Sequence, residues 1–440
     1  MKNIILNTSL YSPIALTSAI AFIIAYVLVV FEDFTRLKKS KPLIIASSII
    51  WILVAYLAHV QHQTDAINIA IRHHLSDYVE LLLFLIVAIT YINVLTERNV
   101  FEALRAFLIK QNFSYRQLFW LTGLLAFFMS ALADNLTTAL ALSAIVIAVG
   151  KDNLKFSGIA CVNLVVAANA GGAFSPFGDM TTLMVWQAGL IPFTKFFKLF
   201  LPSVVNYLIP ALCMHMALPK GCPEPLKDTV LLSAGGKQVV CLFLLTIVIT
   251  VLLQNFFKLP PALGMMFGLG LLQLFSYYTL YKEKIPNLDI FPAIKDLDWD
   301  TLLFFYGIIM AIGGLAALGY LEVLSNTVYS NWLGLSSLAY QHAPGNIVIG
   351  FLSAILDNIP LMFSVITMHP NMSEGQWLLL TLTTGVGGSL LSIGSAAGVG
   401  VMGQAPGVYT FFTHLKWTWA ILLGYIASIA CHFWWNALSF

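Results

Sequence analysis

The sequence predicts an all-α polytopic membrane protein built as two inverted-topology repeats with re-entrant helical hairpins and broken helices. Three observations carry that expectation. The 440 residues are 59% hydrophobic and only 10% charged, with a mean hydropathy of +0.86, whereas soluble chains are about a quarter charged. Apolar windows recur along the whole length, separated by Pro, Gly and charge clusters of the kind that mark loops. Two unusual polar segments each occur twice, at offsets of 223 and 216 residues.

A hydrocarbon core of about 30 Å takes about 20 helical residues, so a chain of this length with short loops makes on the order of ten to twelve crossings. No room is left for a sizeable soluble domain. The net charge of +2 is thinly spread and forms no basic block suited to nucleic acid, which is therefore not an expected partner. The cysteines (Cys161, Cys213, Cys222, Cys241 and Cys431) show no metal or C-x-x-C spacing, and four of them sit in apolar stretches as small hydrophobes.

In chain order the windows are 11–31, 42–60, 78–95, 117–133, 135–149, 156–174, 180–191, 199–218, 238–254, 261–280, 301–320, 346–356, 359–368, 377–391, 396–412 and 418–436. The first is too long for a signal peptide's apolar region and lacks a small-residue cleavage site, so it reads as a retained span. Several are too short to cross alone. With 117–149 and 346–368 taken as hairpins or paired spans, 17 of the 22 Lys and Arg fall on loops 32–41, 96–116, 150–155, 219–237, 281–300 and 413–416. The other side holds Lys2, Arg72, Lys195, Lys198 and Lys258. The positive-inside bias then places both termini outside.

The duplicated segments define the repeats. Ala-Asp134-Asn135-Leu-Thr is echoed by Leu-Asp357-Asn358-Ile-Pro, and Gly171-Gly172-Ala-Phe-Ser-Pro-Phe-Gly178-Asp179 by Gly387-Gly388-Ser-Leu-Leu-Ser-Ile-Gly394-Ser395. The first repeat is drawn over 78–218, with hairpin 117–149 and broken helix 156–191. The second is drawn over 261–436, with hairpin 346–368 and broken helix 377–412. The charge count has the two Asp-Asn segments entered from opposite sides, and inverted repeats with interrupted helices are a pattern of secondary transporters. Backbone groups freed by a break are tolerated at membrane depth only where they line a cavity, so four breaks predict one shared cavity.

Asp134, Asp179 and Asp357 are carboxylates flanked on both sides by apolar runs, and an ionisable group at that depth points to function. The four segments contain no Lys or Arg, nor does the stretch between Lys295 and Lys416, so no counter-ion is built in. Three acids among Asn, Thr, Ser and freed carbonyls suit a small hard cation rather than an anion, which makes Na⁺ or Li⁺ the expected metal at these three aspartates. Burial favours the neutral form of a carboxylate, and a neighbouring carboxylate adds to this. Proton and metal ion would then compete for the same oxygens, a complete exchange mechanism that needs no cofactor, nucleotide or covalent step.

Blander readings exist for each feature. The Asp-Asn pairs suit simple helix N-caps, although a cap needs no charge at that depth. The glycines suit close helix contacts. His59, His62, His73 and His74 fall on an expected external loop, as solvated side chains or as pH sensors. His215 and His432 lie in apolar helices, where a structural hydrogen bond competes with proton relay. Glu322 is expected at the interface.

Four segments carry a resemblance: Ala131-Leu-Ala-Asp-Asn-Leu-Thr-Thr138, Ala168-Asn-Ala-Gly-Gly-Ala-Phe-Ser-Pro-Phe-Gly-Asp-Met-Thr-Thr182, Phe351-Leu-Ser-Ala-Ile-Leu-Asp-Asn-Ile-Pro-Leu361 and Gly387-Gly-Ser-Leu-Leu-Ser-Ile-Gly-Ser-Ala-Ala-Gly398. In this order they resemble the signature segments of NhaD-type sodium/proton antiporters of the ion transporter superfamily. The resemblance implies a scaffold domain and a transport domain in an elevator-type homodimer, in a bacterial-type inner membrane. It places Asp134, Asn135 and Thr138 of the first hairpin against Asn169, Ser175, Asp179, Thr181 and Thr182 of the first break. It likewise places Asp357 and Asn358 against Ser389, Ser392 and Ser395. Relatives that carry carboxylates typically have Ser-Asn-Thr at the hairpin tips, whereas both tips here read Asp-Asn, which agrees with a cation. Na⁺ or Li⁺ exchange for protons is thus the expected function. A sodium-coupled symporter of a small anion is the alternative, and an intramembrane enzyme with paired aspartates as acid and base is the reading outside transport.

Overall fold

The computed structural model describes residues 6, 10–110, 113–151, 153–223, 232–283, 290–330 and 340–440. Lys2, Lys227 and Lys284 of the charge count lie outside them. Helix dominates the described residues, and ten helices are long and apolar enough to cross a bilayer. In chain order we label α1 (Pro13–Val30), α2 (Ser40–Val60), α3 (Thr64–Glu97), α4 (Tyr115–Ala133), α5 (Asn135–Val149), α6 (Leu154–Gly172), α7 (Met180–Gln187), α8 (Phe200–Ala217), α9 (Gly236–Phe257) and α10 (Pro261–Tyr278). They are followed by α11 (Trp299–Ala317), α12 (Tyr320–Val328), α13 (Ala343–Leu352), α14 (Asn358–Met368), α15 (Glu374–Gly387), α16 (Ala396–Gln404), α17 (Phe411–Leu415) and α18 (Thr418–Trp435).

Polar caps start the helices that matter for the site. Ser114 and Gln117 form a reciprocal capping box at α4, and the side chains of Asp134, Asp179, Asp357 and Ser395 accept backbone N–H bonds at the starts of α5, α7, α14 and α16. Such bonds satisfy donors that would otherwise be bare in hydrocarbon. The interruptions end α6 and α15 at paired glycines because backbone passes too close for a side chain. A Cβ on Gly171 would strike the Phe127 carbonyl and one on Gly387 the Gly350 carbonyl. One residue further on, a Cβ on Gly172 would lie 2.6 Å from the Gly178 carbonyl and one on Gly388 2.7 Å from that of Gly394.

Two packing groups share the membrane. In one, α1 packs on α2, α2 on α11, α3 on α10 and α11, and α9 on α10. Trp51 donates to the Met310 carbonyl at 2.8 Å, and the Tyr91 hydroxyl to that of Gly268 at 2.8 Å. In the other, α6 and α15 are buried nearly throughout, amid α4, α5, α8, α13 and α18. Here α5 packs on α16 and α14 on α7, so each helix leaving an Asp-Asn tip lies against the helix that follows the other glycine break.

One expectation is corrected. The window at 78–95 is only the end of a 34-residue helix, α3, that begins at Thr64. His73 and His74 are therefore helical, and His74 is buried; only His62 occupies the short turn after α2. The polar residues in 64–77 are spaced between Ile67, Ile69, Ala70 and Ile71, and an amphipathic run continues a helix beyond the bilayer without needing to be apolar throughout. At 1.5 Å per residue, α3 spans about 51 Å.

Candidate cation site

The hairpin tips reach the depth of the breaks because α4 runs alongside α6 in register. Asn163 donates to the Phe119 carbonyl at 3.1 Å and Ser130 to that of Ala168 at 2.6 Å, so the turn after Ala133 lies level with the end of α6. The second set of helices does the same: Asn346 donates to the Gln376 carbonyl at 3.1 Å and Ser353 to that of Thr384 at 2.8 Å.

Where these four irregular segments converge, Asp179 is the hub. One carboxylate oxygen, Oδ2, accepts from Asn135 Nδ2 at 2.7 Å and from Asn358 Nδ2 at 3.2 Å. The other, Oδ1, accepts from the Thr181 backbone at 2.8 Å, from the Thr181 hydroxyl at 2.9 Å and from Asn358 at 3.3 Å. Asn135 also donates to Asn169 Oδ1 at 3.0 Å, and Asn169 Nδ2 donates to Ser389 Oγ at 2.8 Å and Ser395 Oγ at 2.9 Å. A continuous network thus joins both hairpins to both breaks. Asp179 is 4% exposed and all its bonds come from neutral donors, so its charge is balanced by dipoles alone.

The other expected residues take distinct places. Asp134 accepts from the Thr137 backbone at 2.9 Å and the Thr137 hydroxyl at 2.8 Å, and it faces a cavity of about 30 Å³ that Asp179 also lines. Asp357 caps α14 at 3.5 Å from the Ile359 N–H. Ser175 accepts from the Phe177 N–H at 3.3 Å, and Thr182 donates to the Ser175 carbonyl at 2.8 Å; both bonds stiffen the first break. Thr138 Oγ1 and Ser392 Oγ are buried without a hydrogen-bond partner, which leaves two hydroxyl oxygens free to meet a ligand.

Among the described residues no three His, Cys, Asp or Glu side chains converge as a metal centre. A cation at the hub would be held by one carboxylate and neutral oxygens, a set that suits a monovalent hard ion. The histidines singled out in the sequence lie elsewhere. His215 accepts from Trp120 at 3.1 Å, and His432 bonds the Gly375 carbonyl at 3.0 Å and Asn436 at 2.9 Å. His73, His74 and His369 line a separate cavity of about 280 Å³ with Asp77 and Glu80, at the far ends of α7 and α14. The sequence reading missed Thr137 and His414. Thr137 carries a signal, the capping position after Asp134. His414 carries none, being a lone histidine whose partners are Tyr409 and a backbone carbonyl 25 residues away.

A family described as a citrate transporter matches residues 16–385. The chain is 49% identical to the Na(+)/H(+) antiporter NhaD of Alkalimonas amylolytica, over 97% of this chain and 93% of that protein. It is 48% identical to the Na(+)/H(+) antiporter NhaD of Vibrio cholerae, over 98% and 94%. It is 30% identical to Sodium/proton antiporter 1 of Arabidopsis thaliana, over 94% and 71%.

Proposed function

This chain belongs to the NhaD family of Na⁺/H⁺ antiporters, and from that membership we propose how its own residues perform the exchange of Na⁺ for H⁺. Asp179 is the group that proton and metal ion occupy in turn. The observation that carries this reading is its placement: one buried carboxylate receives an asparagine from each hairpin and, through Asn169, the serines of the second break.

In the ion-free, deprotonated state the amide N–H groups of Asn135 and Asn358 satisfy the carboxylate. When Na⁺ arrives, a half-turn of either amide presents its oxygen instead of its nitrogen, and the serine and threonine hydroxyls supply further oxygens, with Thr138 and Ser392 unengaged beforehand. Protonation of Asp179 removes the charge that holds the metal, so a single group cannot carry both at once. Asp134 and Asp357 flank the hub, the first on the small cavity and the second at the start of α14 next to Asn358, and act on ion entry and release. Li⁺ shares the site because the same oxygens can close on a smaller ion. The charge bias of the loops supports external termini in a bacterial inner membrane, and a homodimer is the expected assembly.

The family description names citrate, so anion symport is tested alongside. Against it stands a network whose only charge is a carboxylate, where an anion would want Arg or Lys. Purified protein in sealed vesicles, acid inside, receives NaCl, LiCl or KCl, with and without citrate. Collapse of the gradient by Na⁺ or Li⁺ without citrate, abolished by Asp179→Asn and by Asp134→Asn or Asp357→Asn, is the expected result. Proton movement that requires citrate, or none from an intact wild type at any pH from weakly acid to alkaline, overturns it.

A further inference from the structure

His414, on the short helix α17, is fully buried and touches the network through Ser389. Its Nε2 lies 2.7 Å from the Ser389 carbonyl oxygen and its Nδ1 2.7 Å from the Tyr409 hydroxyl. A carbonyl oxygen can only accept, so Nε2 carries the hydrogen, and in the neutral ring Nδ1 is left as the acceptor for the Tyr409 hydroxyl. The three groups form a directed chain from Tyr409 through His414 to Ser389. Ser389 in turn accepts from Asn169 through its own hydroxyl, and Asn169 accepts from Asn135 beside the carboxylate. Tyr409 is likewise buried, so water does not compete for either bond.

We propose that His414 is a positioning residue of the cation site: by holding the Ser389 carbonyl from behind, it fixes the second glycine break so that the hydroxyls of Ser389 and Ser395 face Asn169 and the ion. The break needs such a support. The residues after Gly388 leave the helix, and a freed carbonyl in a membrane interior otherwise turns toward whichever donor is nearest. Were the Ser389 carbonyl released, its peptide could rotate toward the site, the Ser389 hydroxyl would leave Asn169, and Asn169 would lose one of its two anchors. Groups that orient metal ligands in this way contribute about 10- to 100-fold to metal affinity. The position 216 residues before His414 is Lys198, which pairs with Glu374 at 2.6 Å instead. The histidine thus stands in the half whose break lacks an aspartate.

The inference rests on the proposed ion site and is tested in the same sealed vesicles, by the dependence of proton flux on Na⁺ concentration. His414→Ala is expected to raise the apparent KM for Na⁺ about tenfold or more while changing the maximal rate less than about twofold. His414→Gln, whose amide can donate to a carbonyl and accept from a hydroxyl, restores most of the affinity. Tyr409→Phe, which keeps the ring and removes only the hydroxyl, raises KM by a smaller factor and serves as the decisive variant if His414→Ala does not insert. An unchanged KM in both His414→Ala and Tyr409→Phe, with active wild type, overturns the role. So does a loss of maximal rate alone, or a Gln variant no better than Ala. Absence of Na⁺-driven flux in wild type instead removes the underlying site.

Discussion

Asp134 has φ 49° and ψ 160°, a backbone region that borders on one nearly reserved for glycine and that persists in other residues only when the surroundings enforce it. The enforcement is visible: two bonds to Thr137 hold the carboxylate over the start of α5. The residue thus combines a cap with a charge, and substitution separates the two. Asparagine keeps an oxygen for the Thr137 N–H and tolerates positive φ, so Asp134→Asn is expected to unfold within about 0.5 kcal/mol of wild type, the range of substitutions that break no structural feature, yet to lose exchange. Asp134→Ala removes the cap as well and costs about 1 kcal/mol more. Thermal unfolding in detergent read beside vesicle flux decides it. An active Asn variant reduces Asp134 to a cap. The three aspartates are legible in sequence as buried acids, but their ranking is not. Asp179 becomes the hub only because two asparagines from distant hairpins turn toward it, and adjacency of Asp to Asn in sequence does not say which of the pair faces inward.

At the scale of elements, the matched glycines explain why the breaks are so readable. Gly171 and Gly387 occur at corresponding points of two segments, and each lies against backbone of a hairpin helix rather than against a side chain that could swing away. Gly171→Ala and Gly387→Ala are therefore expected to destabilise by about 1–3 kcal/mol or more, the range for overpacking a rigid site, and to push a hairpin tip away from its break. Gly270, inside α10 with open space around it, gives the opposite sign. Gly270→Ala gains about 1 kcal/mol from helix propensity. A shift of unfolding temperature downward for the first two and upward for the third checks both. Equal behaviour of all three would mean that the crossings yield to a methyl group. The element that sequence misjudged, α3, shows the limit of apolar windows. Hydropathy registers the part of a helix inside hydrocarbon and stops where the polar residues begin, although the hydrogen-bonded backbone continues.

Across the whole molecule, the hub lies where the two packing groups meet. The groups touch through α11 and α14, and the cavity of about 30 Å³ beside Asp134 and Asp179 is walled by Phe84, Leu85 and Ala88 of α3 and by Phe243 of α9. That volume holds about one or two waters, so an ion reaching Asp179 by this face arrives nearly dehydrated or waits for the groups to part. Ala88 is the smallest residue of the α3 wall, and it lies in the group that does not carry the site. Ala88→Phe fills the cavity from the opposite wall while every network residue keeps its identity. It is expected to abolish Na⁺-dependent proton flux while leaving the protein folded and inserted, whereas Ala88→Ser, close to the native volume, retains it. If the Phe variant exchanges at the wild-type rate, ions reach Asp179 from another side, and the cavity of about 280 Å³ at the far ends of α7 and α14 becomes the path to block next. If flux is lost and high Na⁺ does not restore it, the barrier is on the ion's route rather than in its affinity, because a weakened site recovers with concentration and a closed path does not.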